Sequence, residues 1–166
     1  MKNLFKRQND IIKKLNSVCP EERQLKWQET EFSALVYFGL NTFVCKQESN
    51  GKVEANAFFP TDIDIPDWIS TFKKAGMKGA VLVVKHHDGF CMWRTKTTEY
   101  SVANSPYLDS KGDIFREFTD ACREGGLKAG LQFSLCDRNT EKTGKELDDL
   151  ICNQLTELLT SYGEIY

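Results

Sequence analysis

Apolar runs alternate with amphipathic segments along the chain from about residue 30 onward. Three continuous apolar runs predict strands buried on both faces; they cover residues 32–40, 79–84 and 127–135. After each run, apolar residues recur at helical spacing, which predicts helices over residues 65–78, 112–126 and 144–163. Residues 164–166 predict the beginning of a fourth strand.

Residues with strong local preferences predict where these helices begin and end. Pro66 fits the first turn of the first helix, Asp67 suits the positive end of its dipole, and Gly76 stops it. Gly126 and Gly163 stop the second and third helices. The second helix has an apolar stripe of Ile114, Phe115, Phe118, Ala121 and Cys122. The stripe of the third comprises Leu147, Leu150, Ile151, Leu155, Leu158 and Leu159.

The order of the elements predicts an α/β fold with parallel strands and right-handed crossovers. Two closures fit, a doubly wound open sheet or a (β/α)8 barrel. A complete barrel takes about 250 residues, whereas this chain has 166, enough for three β/α units and the start of a fourth strand. No GxGxxG or P-loop motif follows any strand, which removes the usual sign of a nucleotide-binding sheet.

Length and composition narrow the class of protein. The length suits a single domain over residues 1–166, in which residues 1–22 form a helical lead-in. With 22 basic and 24 acidic residues, the chain lacks the excess of positive charge that indicates binding to nucleic acid or to an anionic membrane. No stretch approaches the roughly 20 apolar residues of a membrane span, and the N-terminus lacks the apolar core of a signal peptide. We therefore expect a cytoplasmic protein.

The cysteines carry no sign of a metal or redox motif. The six are widely spaced, without a CxxC pair. Two of them, Cys122 and Cys152, fall on apolar faces of predicted helices. We expect reduced and mostly buried thiols.

Polar residues follow each predicted strand, where functional side chains gather in both candidate folds. Gln47 and Glu48 lie in the loop after the first strand. The second strand is followed by Lys85, His86, His87 and Asp88, and the third by Ser134, Asp137, Arg138 and Asn139. Three such clusters in succession predict a site at this edge of the sheet.

His86 and His87 are the only two histidines of the chain, and three interpretations of them stay open. They could bind a metal, with Asp88, Asp137 or a cysteine completing the ligand set. They could be structural, with each ring bonded to backbone. They could also bind a sugar, because imidazoles pair with hydroxyls while aromatic rings pack on the C–H faces. The candidate rings are Tyr37, Phe90 and Trp93, although ordinary packing explains Trp93 equally well.

Several long motifs resemble the α-L-fucosidase family of retaining glycoside hydrolases. They are "FGLNTF", "FFPTDIDIPDWISTFKKAGMKGAVL", "KHHDGFCMW", "TEYSVANSP", "KGDIFREFTDACREGGLKAG", "SLCDRN" and "NQLTELLTSYGEI". The resemblance runs from about Arg23 to Tyr166 and is closest to the branch acting on α-1,3/1,4-linked fucose.

This resemblance implies the N-terminal portion of a (β/α)8 catalytic barrel that removes terminal L-fucose from a fucosylated oligosaccharide or glycoconjugate, with retention and without a metal or cofactor. His86 and His87 match the adjacent histidines that bind fucose hydroxyls. Tyr37 stands where the family usually has histidine, and Gln47 and Glu48 stand where it commonly has Glu-Trp. The full predicted substrate-binding set is Tyr37, Gln47, Glu48, His86, His87, Trp93 and Asp137.

The resemblance assigns no catalytic residue within this sequence. Retaining hydrolysis uses a nucleophile and an acid/base whose carboxyl groups lie about 5–5.5 Å apart. The family nucleophile lies in a Trp-Phe-Asp-Gly-like motif after the fourth strand, a few residues beyond Tyr166. A further departure is Cys136, at a position where tryptophan is more usual.

Three interpretations of the whole chain follow. It is the N-terminal part of a fucosidase, or a truncated and inactive relative that binds fucosylated glycans or has no activity, or a smaller open α/β domain with another role. A partial barrel exposes a sheet edge and an apolar face. We therefore expect poor solubility, or self-association through the open barrel edge.

Overall fold

The computed structural model describes residues 10–166, and the chain divides into two compact units, residues 1–31 and 32–166. In the first unit, residues 10–16 and Glu22–Gln28 are helical. Part of the predicted lead-in, residues 1–9, lies outside the described residues. The division of the chain into a lead-in over residues 1–22 and a single domain stays a prediction.

The second unit alternates strands and helices in the predicted order. Its elements are β1 Ser33–Val36, α1 Ile65–Lys74, β2 Gly79–Lys85, α2 Ile114–Gly125, β3 Lys128–Phe133 and α3 Lys145–Ser161. The strands form a parallel sheet in the order β1-β2-β3, with Ala34 beside Ala80 and Ala80 beside Ala129. The parallel α/β fold predicted from the sequence is confirmed.

The first and third strands are shorter than the apolar runs that predicted them. After Val36 the first run leaves the sheet, and Leu40–Phe43 forms a helical turn. This turn buries Leu40 and sets the Phe43 ring 5.2 Å from that of Phe58. A continuous apolar run indicates burial but not conformation, so its second half satisfies the same pattern as a turn. The third strand ends at Phe133, and Leu135 is exposed.

The segment predicted to begin a fourth strand makes one backbone hydrogen bond to β3. The Tyr166 amide donates to the Ala129 carbonyl of β3 over 2.9 Å. No strand is assigned over residues 164–166, although Ile165 packs against the core. The segment therefore lies beside β3 without forming a ladder.

Side-chain caps fix the beginnings of α1 and α2. The Asp64 carboxylate accepts from the Asp67 amide over 2.8 Å, and Asp113 accepts from the Arg116 amide over 2.9 Å. Gly126 ends α2 with a φ of +73°, a conformation that costs glycine little. The predicted stripe of α2 is buried throughout and forms the core together with Leu82 of β2.

The predicted stripe of α3 needs a correction. Leu150 and Leu158 are buried, but Leu159 is 56% exposed. Gln154, a polar residue, is fully buried instead. Its amide oxygen accepts from Lys85 Nζ over 2.8 Å and its nitrogen donates to the Thr97 hydroxyl over 3.1 Å. These bonds offset the cost of burying the amide, and they turn α3 so that Leu159 faces outward.

The expectation of mostly buried thiols is wrong. Cys91 and Cys122 are buried, and burial raises the pKa of Cys122 to about 12. The other four cysteines, Cys19, Cys45, Cys136 and Cys152, are exposed, and all six are free thiols. The expectation failed for Cys152 because α3 turns this position toward solvent.

The open barrel edge is present in the described residues. β1 and β3 are the outer strands of the sheet, and Leu35 of β1 is 61% exposed. Self-association through this edge stays a prediction; a monodisperse monomer in sedimentation velocity would contradict it. Within residues 10–166, no helix has both the length and the apolar character that crossing a membrane requires.

Candidate functional site

The residues that follow the three strands meet at one edge of the sheet. Tyr37 directly follows β1, His86 and His87 follow β2, and Ser134 follows β3. Because the strands are parallel and in register, their carboxyl ends lie side by side. The sequence-predicted cluster is thereby brought together in space.

His86 is oriented by the residue that follows β1. Its Nε2 lies 2.7 Å from the Tyr37 hydroxyl, which also donates to the Gln47 carbonyl over 3.0 Å. The hydroxyl has one hydrogen and a carbonyl can only accept. The arrangement that satisfies both contacts places the proton of His86 on Nε2. The unprotonated Nδ1 is buried and has no hydrogen-bond partner within the described residues.

His87 is oriented in the opposite sense from the end of β3. Its Nδ1 lies 2.7 Å from the Ser134 hydroxyl, which donates to the Cys136 carbonyl over 2.9 Å. The same reasoning places the His87 proton on Nδ1 and leaves Nε2 with its lone pair. The two rings lie 4.5 Å apart between centroids. The edge of the sheet thus presents two adjacent imidazoles with fixed, complementary tautomers.

The surroundings of His86 favour its neutral form. Burial lowers the pKa of His86, and the neighbouring His87 lowers it further. The assigned tautomer also favours neutral His86, because a second proton would have to bind to Nδ1, which is buried and has no acceptor.

We expect His86 to titrate below the ordinary histidine value of 6.5. A pKa that is lower in the folded than in the unfolded chain means that the unfolded chain binds more protons near that pH. Stability contributed by neutral His86 is therefore present above about pH 6.5 and is lost as the pH falls through the folded-state pKa.

An imidazole NMR titration of the chain, together with the unfolding free energy between pH 8 and 5, measures this shift. His86→Gln should weaken the dependence of stability on pH over this range. Titration of His86 at or above pH 6.5 would contradict the prediction.

Two loops are joined at the rim of the site. Arg138 pairs with the Glu48 carboxylate over 2.9 Å and donates to the Ser49 carbonyl over 3.0 Å. The Asn139 amide donates to the Gly51 carbonyl over 2.8 Å. These bonds tie the loop after β1 to the loop after β3 and hold Glu48 at the same edge as the histidines. The side chain of Glu48 remains 43% exposed.

The two aspartates near the histidines are engaged in bonds within the fold. Asp88 accepts from the Asn41 amide over 2.7 Å and from the Phe90 amide over 2.8 Å, and burial raises its pKa. The Asp137 side chain is 4% exposed and pairs with the fully buried Lys85 over 3.0 Å. Both carboxylates therefore hold the loops of the site in place through hydrogen bonds and an ion pair.

Trp93 does not form an exposed wall of the site. Its side chain is fully buried, with its ring 6.3 Å from Phe133, and its indole nitrogen donates to Glu157 over 3.0 Å. Phe90, the other predicted floor, is also buried. Both rings belong to the hydrophobic core, and the Trp93 indole keeps a hydrogen-bond partner there. A direct contact of Trp93 or Asp137 with a ligand stays a prediction that this placement does not favour.

Sequence reasoning missed part of the support beneath the site. The side chains of Asn41, Gln154 and Glu157 bond Asp88, Lys85 and Trp93 respectively. The signal for Gln154 was present, since it interrupts the apolar stripe of α3 at a position that faces the core. Asn41 directly follows the first apolar run, and its polar side chain among apolar neighbours was the signal for it. Glu157 carried no comparable signal, because polar residues are common along α3.

The parallel strands and crossover helices match the N-terminal portion of a (β/α)8 barrel, and polar side chains gather at the carboxyl ends of its strands. A family model described as "Alpha-L-fucosidase" matches residues 13–165. "Alpha-L-fucosidase 1" of Arabidopsis thaliana is 38% identical over 148 residues, which are 88% of this chain and 29% of that relative. The chain belongs to the α-L-fucosidase family.

Solved structures show the same fold. A glycoside hydrolase 29 family member from an unknown rumen bacterium matches with a TM-score of 0.86 at 44% identity, over 89% of this chain and 27% of that structure. An α-L-fucosidase from Bacteroides thetaiotaomicron, a trapped covalent intermediate in complex with 2-fluoro-fucosyl fluoride, matches with a TM-score of 0.75 at 27% identity. That match covers 89% of this chain and 40% of that structure. The chain thus spans less than half the length of these relatives.

Proposed function

We propose that this chain supplies the fucose-binding half of an α-L-fucosidase active site. The observation that carries the proposal is the pair His86 and His87, whose tautomers are fixed by Tyr37 and Ser134. His87 offers the lone pair of its Nε2 to a hydroxyl donor at the strand ends, and the His86 ring lies beside it, 4.5 Å away between centroids. L-Fucose is a deoxy sugar with few hydroxyls, so a small number of directional contacts with this imidazole pair supports its recognition.

The reaction class follows from the family. A relative has been trapped as a covalent intermediate with a fluorinated fucosyl donor, as retaining hydrolysis requires. In this chain, Asp88 and Asp137 are committed to bonds with buried donors, and Glu48 is paired with Arg138. We assign none of them as the nucleophile or the acid/base. Residues 1–166 should therefore bind the sugar without cleaving its glycosidic bond.

The finer substrate is a terminal α-L-fucose on an oligosaccharide or glycoconjugate, in α-1,3 or α-1,4 linkage. The alternative is a relative that binds such glycans and never acts on them, which the departures at Tyr37, Gln47 and Glu48 support. Both versions predict the same binding site and differ only in whether a complete barrel hydrolyses the bond.

Calorimetric titration of the chain with L-fucose, and with its mirror image D-fucose as the matched control, tests this function. We expect saturable binding of L-fucose alone. His87→Gln should weaken it about fivefold, since one hydrogen bond contributes roughly 1 kcal/mol. Equal binding of both enantiomers, or none of L-fucose to the folded chain, would contradict the proposal. Release of aryl alcohol from an aryl α-L-fucoside would overturn the assignment of catalysis to residues outside 1–166.

A further inference from the structure

We propose that the N-terminal segment, residues 1–18, binds the surface of a membrane that carries anionic lipids. Residues 10–16 of this segment are helical, and the whole segment belongs to the first compact unit, residues 1–31. It shares no residue with the sugar-binding set at the ends of the strands. The inference therefore goes beyond the proposed function and does not depend on it.

One side of this helix is apolar and lies in solvent. Its side chains follow the i, i+1, i+4, i+7 spacing that places residues on one face of a helix, and each is between 51% and 76% exposed; they are Ile11, Ile12, Leu15 and Val18. The Val18 amide donates to the Leu15 carbonyl over 3.3 Å, which continues the turn beyond residue 16. An exposed apolar face of this kind indicates a binding surface, because covering apolar surface is favourable in water.

Basic side chains lie next to the apolar face. Lys13 and Lys14 are both exposed, and they directly follow the apolar pair Ile11 and Ile12. The sequence has the same pattern seven residues earlier, where LFKR at residues 4–7 precedes IIKK at residues 11–14. Seven residues are about two helical turns, so the two copies of the pattern have the apolar and basic positions in matching places.

The positive charge of the chain is concentrated in this segment. Residues 1–18 contain one acidic residue, Asp10, and five basic residues, namely Lys2, Lys6, Arg7, Lys13 and Lys14. The whole chain has 22 basic and 24 acidic residues, so this local excess is offset elsewhere and does not appear in the net charge. Local charge asymmetry of this kind indicates an anionic partner.

An anionic lipid surface fits both properties of the segment. An amphipathic helix lies in the plane of the membrane with its apolar face at the boundary between headgroups and acyl chains. Lysine side chains then extend toward the acidic headgroups, which attract them electrostatically. A second copy of this chain could cover the same apolar face, but it would bring two basic segments together. The charge therefore favours the membrane.

The contribution of the charge is tested with two double variants. Lys13→Gln with Lys14→Gln removes two basic side chains of the segment and should weaken membrane binding about tenfold or more. The matched control is Lys73→Gln with Lys74→Gln, which removes two adjacent exposed lysines of α1. It changes the net charge by the same amount and should leave the affinity within about twofold.

The contribution of the apolar face is tested in the same way. Leu15→Gln removes one apolar contact with the lipid and should weaken binding about fivefold or more. Leu159→Gln is its control, because Leu159 is an exposed leucine of α3 outside the segment. This second substitution should leave the affinity unchanged.

Co-sedimentation of the full chain with vesicles measures the binding. Vesicles of equal parts phosphatidylserine and phosphatidylcholine are compared with vesicles of phosphatidylcholine alone, and the chain without vesicles is the blank. We expect binding to the anionic vesicles that weakens as the salt concentration rises. No sugar is present, so the outcome is independent of the fucose proposal.

Equal binding to both kinds of vesicle, or no binding of the folded chain to the anionic vesicles, would overturn the proposal. So would equal losses in the two double-lysine variants, because total charge rather than this segment would then direct the binding. A dimer in sedimentation velocity that Leu15→Gln dissociates, together with no vesicle binding, would assign the apolar face to a second copy of the chain instead.

Discussion

Lys85→Met should lower the unfolding free energy of the chain by about 3–5 kcal/mol, the usual effect of breaking a buried ion pair by removing one partner. Lys85 is fully buried, and its ammonium group lies 3.0 Å from Asp137 Oδ2 and 2.8 Å from Gln154 Oε1. Phe133 completes the surroundings, with its ring centroid 4.5 Å from Nζ. Methionine fills most of the volume but leaves the Asp137 carboxylate buried without its cation.

The double variant Lys85→Met with Asp137→Asn separates the lost charge from the lost packing. Asparagine keeps the Oδ1 acceptor that receives the Asn139 and Thr140 amides, each over 3.1 Å. With both charges removed, we expect at least half of the lost stability to return. Lys74→Met, at an exposed position of α1, is the control and should change stability by less than about 0.5 kcal/mol.

Urea unfolding of the four proteins at one concentration measures these differences. A Lys85→Met variant that unfolds within about 0.5 kcal/mol of the parent would show that the pair does not hold β2 to the loop after β3. A double variant no more stable than Lys85→Met would show that packing, rather than the uncompensated carboxylate, carries the loss.

Gly89→Ala should cost about 3 kcal/mol or more, because two penalties add at this position. The φ of Gly89 is +89°, in a region where a Cβ costs roughly 1–2 kcal/mol. A Cβ at this position would also overlap Asp137 Oδ1 and lie 2.8 Å from its Cγ. Asp137 cannot retreat, because Lys85 and two backbone amides hold it.

Gly76→Ala is the matched control for this substitution. Gly76 has a similar φ of +84°, but a Cβ there would have nothing within 4 Å. Gly76→Ala should therefore lower the unfolding free energy by the backbone penalty alone, about 1–2 kcal/mol. The difference in unfolding free energy between the two variants then measures the cost of the contact with Asp137. Equal losses of unfolding free energy in the two variants would mean that the loop after β3 can move away from the added Cβ at no cost, and that Asp137 does not hold this loop in position.

The sequence predicted the framework of the site because the framework depends on local signals. Hydrophobic periodicity identified β2 and the buried stripe of α2, and the positions after the strands identified His86 and His87. Composition could not show where the first apolar run leaves the sheet, since the turn at Leu40–Phe43 buries the same side chains as a strand. The conformation there depends on contacts with Phe58, distant in sequence.

The direction of side chains was the second feature beyond the reach of the sequence. Trp93 follows the histidines closely, yet its indole turns into the core because Glu157 of α3 receives its N–H. Gln154 is buried and Leu159 is exposed for a related reason. The buried ammonium group of Lys85 needs a hydrogen-bond acceptor, and Gln154 supplies it. Long-range polar partners decide these orientations, and for Trp93 no local pattern encodes the result.

The tautomers of the two histidines are likewise a product of the assembled sheet. Tyr37 after β1 and Ser134 after β3 reach the imidazoles from opposite sides. Each hydroxyl has a carbonyl that takes its hydrogen, so each imidazole must donate. This alternation depends on three strands lying in register, and it turns an adjacent histidine pair into a directional receptor.

The most direct test of the central claim is the imidazole ¹⁵N NMR spectrum of the chain titrated with L-fucose and, in parallel, with D-fucose. We expect saturable shifts of both histidine signals with L-fucose, and none with D-fucose at the same concentration. Signals of His86 and His87 that stay unchanged in a folded chain at high L-fucose concentration would contradict it.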